Sequence, residues 1–286
     1  MSKKVLIASD STTDLSAELI EKYQIKILPL GVNLGGKSYI DGVDIDPDFI
    51  YKYYEEKGEL PKTSAANVAD FTEFFKKYTD EGYAIVMFTI SQTMSSTYNN
   101  GRIAAEEFED VYVVDTKNLS TGGGLLLLAA ADMAAQGDSA EVIAQKCTEL
   151  ADRVDASFVL DNLEFLYKGG RCSALAAFGA NLLQLKPCIM VRGGSMGVGK
   201  KYRGKFAATL EKYIADQIGD ASDIELDRIF VTHAGCDKEI YEACVKQVKA
   251  LAPFKEVLLT RAGCTVSSHC GRNTLGVLFI RKNKLV

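Results

Sequence analysis

The chain has 286 residues, of which 47% are hydrophobic and 25% charged, and a formal net charge of −5. This is ordinary globular composition, long enough for two α/β domains, and its slight acidity gives no support to a general nucleic-acid or membrane-surface binder. Seven scattered cysteines without a C-x-x-C pair read as reduced core thiols, which together with an N-terminal apolar run too short for a signal-peptide core points to a cytoplasmic protein.

In chain order, residues 5–8, 84–90 and 111–114 are predicted strands, alternating with segments of helical periodicity. That is the pattern of βα units in a largely parallel sheet. Ligands of such sheets sit beyond the carboxyl ends of the strands, so the hydroxyl-rich turn at residues 91–97 and Asp115-Thr116 fall where a site is expected. Gly122-Gly123-Gly124 reads as the flexible start of a helix, with a phosphate at that helix start as the alternative. The apolar stretch at residues 125–135 is broken by Asp132 and is too short to span a bilayer. A helix over residues 140–154, with Val142, Ile143, Leu150 and Val154 as its stripe, closes a first domain at residues 1–155. The second, residues 156–286, has predicted strands at 157–160, 188–192, 228–232, 256–260 and 277–281 and helices near 207–218 and 239–250. No low-complexity linker divides the halves, so a packed interface is expected.

Between these elements lies Leu163-Glu164-Phe165-Leu166-Tyr167-Lys168-Gly169-Gly170-Arg171-Cys172-Ser173. A helix ending in a Gly-Gly pair can turn with positive φ and hold the following cation at a fixed place, which suits an acid headgroup. The next segment, residues 174–185, carries almost no charge. Leu175, Phe178 and Leu182, with Ile189 beyond, are candidate linings of an apolar tunnel; a plain buried helix accounts for the same residues.

Other chemistries fare worse. Gly194-Ser195-Met196-Gly197-Val198-Gly199-Lys200 is followed by Lys201 where a P-loop needs Ser or Thr for magnesium, and residues 201–204 read as a return strand, so this is a hairpin turn. A serine hydrolase using Ser95 and His269 is the main alternative, but no G-x-S-x-G elbow surrounds Ser91, Ser95 or Ser96. No metal site is expected: His233 and His269, the only histidines, lie in no metal-binding motif, and His233 reads as structural.

Residues 163–173 also resemble the "LEYLRKGGRIS" signature of the DegV family of bacterial fatty-acid-binding proteins. Asp10-Ser11-Thr12-Thr13-Asp14-Leu15, Lys62-Thr63-Ser64, Ser95-Ser96-Thr97-Tyr98, and Ser268-His269-Cys270-Gly271 with Thr274-Leu275-Gly276 resemble further family segments, in family order and across nearly the whole chain. The departures are Ala66-Asn67 after the Thr-Ser pair, Ser96 for the glycine of "SGTY", and Arg272-Asn273 for Pro-Gly after the histidine loop.

The resemblance implies two α/β domains with a fatty-acid site at and beside their interface. It implies that Thr63 and Ser95 hold the carboxylate, with Arg171, His269 and Arg203 in a polar chain around it; on residue types alone, loop capping is the better reading of Thr63 and Ser95. It further implies a non-catalytic carrier that presents a long-chain fatty acid to a separate dihydroxyacetone-kinase-like subunit for acyl-phosphate formation. The ligand is the fatty acid, with no cofactor, and Arg203 and His269 serve presentation. Lys200, Lys201, Arg203 and Lys205 form either a docking patch or a solvated hairpin.

Overall fold

The apolar runs do become strands, and alternation of side chains sends their residues to both faces. The computed structural model describes residues 3–173 and 185–285. The first half contains β1 (Lys4–Asp10), a 3₁₀ turn (Ser11–Thr13), α1 (Ala17–Lys22), β2 (Lys26–Leu28), β3 (Gly31–Leu34), β4 (Lys37–Ile40), α2 (Pro47–Lys57), β5 (Lys62–Ser64), α3 (Val68–Asp80), β6 (Tyr83–Thr89), α4 (Thr97–Ala105) and β7 (Val111–Asp115). There follow α5 (Thr121–Ala135), α6 (Ala140–Ala151), β8 (Val154–Leu160), α7 (Glu164–Gly169), β9 (Lys186–Arg192), β10 (Ser195–Tyr202), α8 (Phe206–Ile218), β11 (Ile224–Ala234), α9 (Lys238–Leu251), β12 (Glu256–Arg261), α10 (Cys264–Cys270) and β13 (Thr274–Arg281).

The first sheet, in the order β2-β1-β6-β7, is parallel throughout. Leu6, Ala8, Ile85 and Met87 pack on one face against Phe71 and Phe75 of α3, while Ile7, Val86 and Phe88 join the core on the other. Burial on both faces is why these strands read as continuous apolar runs. Helix α3 is started by a capping box between Asn67 and Asp70.

The expectation of parallel strands fails in the second sheet. Its order is β10-β9-β8-β13-β11-β12, and every pair except β11 with β12 is antiparallel. A tight turn through Gly193 and Gly194, both at positive φ, forces β9 and β10 to run in opposite directions. That turn precedes the segment from Ser195 onward, which is strand β10 rather than the turn itself.

Two further readings are corrected. Val154 begins β8 instead of ending α6, and Val142 on α6 is 38% exposed, while Ala140, Ile143, Ala144, Cys147 and Ala151 form its buried stripe. The glycine run is no flexible helix start: Gly122, Gly123 and Gly124 are buried, and a Cβ on Gly122 would meet Asn118 Oδ1 at 2.1 Å and one on Gly124 Leu15 Cδ2 at 2.8 Å. Absent side chains let α5 lie between the two sheets, against β1 and β6 on one side and β8, β11 and β13 on the other. One hydrophobic cluster runs from Ile7 and Val86 through Leu125–Leu128 to Phe158 and Val191.

A third, small antiparallel sheet, β4-β3-β5, stands beside α2 and α10. All seven cysteines are buried and none is in a disulfide. Among the described residues no helix is long and apolar enough to cross a membrane.

Candidate functional site

Thr63 is the middle residue of β5 and pairs opposite Val32 of β3, so main-chain hydrogen bonding fixes its place. Its Oγ1 lies 2.9 Å from Nε2 of His269, 206 residues away on α10. Two aspartates from the first half seat α10. Asp14 Oδ1 accepts from Gly263 N at 2.8 Å, and Asp41 accepts from Cys264 N at 2.8 Å and Thr265 N at 3.1 Å. Backbone donors at a helix start lack intrahelical acceptors, so these carboxylates both cap α10 and tie it to the first sheet's loops. Ser120 hydrogen-bonds Asp14 at 2.5 Å; burial nevertheless pushes the Asp14 carboxyl up to about 8 and also raises Asp10.

The Gly-Gly pair has two separate reasons. A Cβ on Gly169 would come within 2.6 Å of His269 Nδ1, so the last residue of α7 must be bare for α10 to approach. Gly170 takes φ 68° and ends the helix in the left-handed region. Arg171 follows, exposed, with Nη1 donating to Gly169 O at 2.8 Å.

Ser95 sits in the turn after β6. Ser91 O accepts from Met94 N and Ser95 N, and Ser95 Oγ in turn accepts from Thr97 N at 3.2 Å and lies 2.8 Å from Thr97 Oγ1. The same turn grips the β9–β10 hairpin: Ser91 Oγ donates to Gly194 O at 2.8 Å, and Thr93 Oγ1 donates to the same carbonyl. That contact carries Met196 to the site.

Thr63, Ser95, Arg171 and His269 all line one cavity of about 240 Å³. Its remaining walls are largely apolar, including Leu30, Ile90, Leu119, Leu166, Met196 and Val266. A narrower hollow of about 30 Å³ shares Leu119, Val266 and Cys270 with it and continues under the second sheet between Ala156, Phe158, Val191 and Leu278. Toward solvent, Met94, Arg171 and Met196 are shared with a polar vestibule of about 370 Å³ that includes Thr93, Ser173 and Ser195. The cavity thus combines hydroxyl donors and a cation with a largely hydrocarbon wall, the two kinds of surface that an amphiphilic acid requires.

Burial, aided by the positive charge of Arg171, lowers the His269 pKa to about 4, so its imidazole is neutral at pH 7. Its Nδ1 is shut from solvent and has no hydrogen-bond partner among the described residues. His233 lies elsewhere, stacked on Tyr241 with ring centroids 4.4 Å apart and accepting from Cys236 N at 3.3 Å; burial lowers its pKa to about 4 as well.

Arg203 is exposed just past β10 and does not line the cavity, while Lys200 beside it pairs with Asp216 at 2.6 Å. Ile189 is fully buried on β9 opposite Phe158, on the face that bounds the narrower hollow, although Val191 is the β9 residue that lines it. Leu175, Phe178 and Leu182 lie outside the described residues. The sequence reading missed Leu30, Met196 and Thr265. Thr265 carried a usable signal, its spacing of four from His269, but residues 264–270 had not been read as a helix.

Comparison with known proteins bears on the family and the fold. A family model described as an uncharacterised protein of the DegV family matches residues 4–282. A DegV domain-containing protein of Clostridium acetobutylicum is 34% identical over 282 residues, covering 98% of this chain and 99% of its own. A solved structure described as fatty acid binding of a DegV family protein from Thermus thermophilus matches with a TM-score of 0.88 and 29% identity, over 97% of this chain and 99% of that one. A stearic acid-binding protein from Eubacterium ventriosum matches with a TM-score of 0.83 and 28% identity, over 99% of each. With a family model spanning nearly the whole chain and a relative of this identity and coverage, the chain belongs to the DegV family.

Proposed function

We propose that this protein binds one long-chain fatty acid, with the carboxylate between Thr63 and Ser95 near Arg171 and the tail in the apolar cavity, and presents that carboxylate to a separate dihydroxyacetone-kinase-like subunit that forms acyl phosphate from ATP. The observation that carries the reading is a single cavity lined by the polar groups of Thr63, Ser95, Arg171 and His269 together with the apolar Leu30, Leu119, Leu166 and Val266. The fatty acids described for the relatives from Thermus thermophilus and Eubacterium ventriosum support the same ligand class.

The energetics favour that division of labour. Each buried methylene contributes about 0.8 kcal/mol, so the tail supplies most of the affinity before association costs are subtracted. A buried carboxylate without donors would protonate or be excluded. With the proton of neutral His269 on Nε2, the imidazole donates to Thr63 Oγ1 and frees the threonine hydroxyl to donate to the ligand. Gly169, whose carbonyl holds Arg171, lies against Nδ1, and the nearby cation favours a lone pair on that side.

We read the chain as a non-catalytic carrier. The hydrolase alternative loses support because His269 Nε2 is engaged by Thr63, Ser95 is engaged by Thr97, and Nδ1 has no orienting carboxylate among the described residues. Seven cysteines outside any disulfide fit a reducing cytoplasm. In this reading Arg203 and His269 serve the kinase more than the lipid.

The test is native mass spectrometry followed by organic extraction. One fatty acid per chain is expected in the parent and a clear loss of occupancy in a Thr63→Val, Ser95→Ala double variant. Equal lipid content and affinity in both, or an empty parent that takes up no fatty acid, would reject the assignment. With a kinase subunit added, His269→Ala and Arg203→Ala should retain much of their bound lipid but lose acyl-phosphate formation.

A further inference from the structure

Helix α10 carries hydroxyl side chains that are treated differently. Ser267 Oγ donates to Ala262 O at 3.1 Å and Ser268 Oγ to Cys264 O at 2.7 Å, so both return their protons to the main chain. Thr265 does not. It is 5% exposed, and its Oγ1 is closed to solvent and has no hydrogen-bond partner among the described residues. Buried hydroxyls without partners are uncommon in native proteins and ask for an explanation.

Position supplies one. Thr265 lies four residues before His269, on the same face of α10, and lines the same cavity as Thr63, Ser95 and His269. Its backbone N–H is already held by Asp41, which fixes the main chain and leaves the hydroxyl with its own proton to donate. A carboxylate brings two oxygens and several lone pairs, more than the hydroxyls of Thr63 and Ser95 can fill between them.

We infer that Thr265 is a headgroup-binding residue, whose hydroxyl donates to the second carboxylate oxygen of the bound acid. This rests on the fatty-acid reading above and sharpens it: the site distinguishes a carboxylate from an alcohol head by a donor that only a two-oxygen head can use. Threonine keeps its bond to Asp41 through the main chain in any substitution, so the side chain can be tested by itself.

Delipidated parent, Thr265→Val and Thr265→Ser proteins would be titrated calorimetrically with oleic acid and with oleyl alcohol. The Thr265→Val change is nearly isosteric. It should weaken oleic acid about tenfold, the size of one lost hydrogen bond to a charged group, while changing oleyl alcohol binding less than about twofold. Thr265→Ser should restore the acid affinity. Unchanged oleic acid affinity in Thr265→Val, or an equal loss for acid and alcohol in both variants, overturns the role of Thr265 while leaving the fatty-acid reading intact. A parent that binds neither ligand overturns both.

Discussion

Behind α10, each carboxylate oxygen of Asp10, Asp14 and Asp41 is engaged. Asp10 accepts from Thr12 and from Ile90 N, Asp14 from Ser120 and Gly263 N, and Asp41 from Ser11, Cys264 N and Thr265 N. In front of the same helix, Thr265 Oγ1 and His269 Nδ1 have no partner among the described residues. The two regions share burial and polarity but differ in saturation. Where hydrogen bonds are complete, the polar groups hold elements in place: Asp10 sets the turn that carries Ser95, and Asp14 and Asp41 set the helix that carries His269. At the Thr265 hydroxyl, where they are incomplete, the missing acceptor is what a carboxylate head would bring, while His269 Nδ1 stays shut away against Gly169.

The contrast breaks first at Asp41. Replacing it with Ala leaves Ser11 Oγ and two main-chain donors at the start of α10 without their acceptor, and should cost about 3 kcal/mol in urea unfolding. A cost below about 0.5 kcal/mol would mean that saturation behind α10 does not hold the fold.

The pH dependence offers a finer probe. His269 has a folded pKa of about 4 against an ordinary value of 6.5, so between those limits the unfolded chain binds a proton that the folded chain does not. Stability therefore falls as pH is lowered from 6.5 toward 4, and His233 adds a term of the same sign. Asp10 and Asp14, with raised values, contribute the opposite trend as pH rises. In His269→Gln the loss of stability from pH 6.5 to 4.5 should be shallower than in the parent by about 2 kcal/mol, read from urea midpoints at both pH values. Equal slopes would show that His269 is not held neutral by its surroundings.

Gly169→Ala should have the smallest effect on the fold. The added methyl presses on the His269 side chain, 2.6 Å from Nδ1, so the imidazole must shift from Thr63. Fatty-acid affinity should fall a few-fold with the unfolding midpoint little changed; an unaltered affinity would separate the His269 geometry from lipid binding.

Much of this architecture was legible before any coordinates. Strands β1, β6, β7, β8, β9, β11, β12 and β13 all contain apolar runs that mark them, and the Gly169-Gly170-Arg171 turn announced the end of α7. The three-residue strand β5 was not legible, because three residues carry no measurable alternation, and its pairing with β3 is what makes Thr63 a fixed group instead of a loop cap. Residues 264–270 were likewise silent. Their short helix is started by carboxylates more than 220 positions away, so no local capping signal precedes it.

Local sequence by itself therefore determined which segments are strands or helices and which faces are apolar, because side-chain periodicity and glycine conformation act over a few residues. Only the tertiary structure decided that Thr63 meets His269 across 206 residues, that Asp14 and Asp41 seat α10, and that the Thr265 hydroxyl has no partner among the described residues. Those outcomes depend on how α5 packs between two sheets, and such packing is set by the sum of contacts from the whole chain.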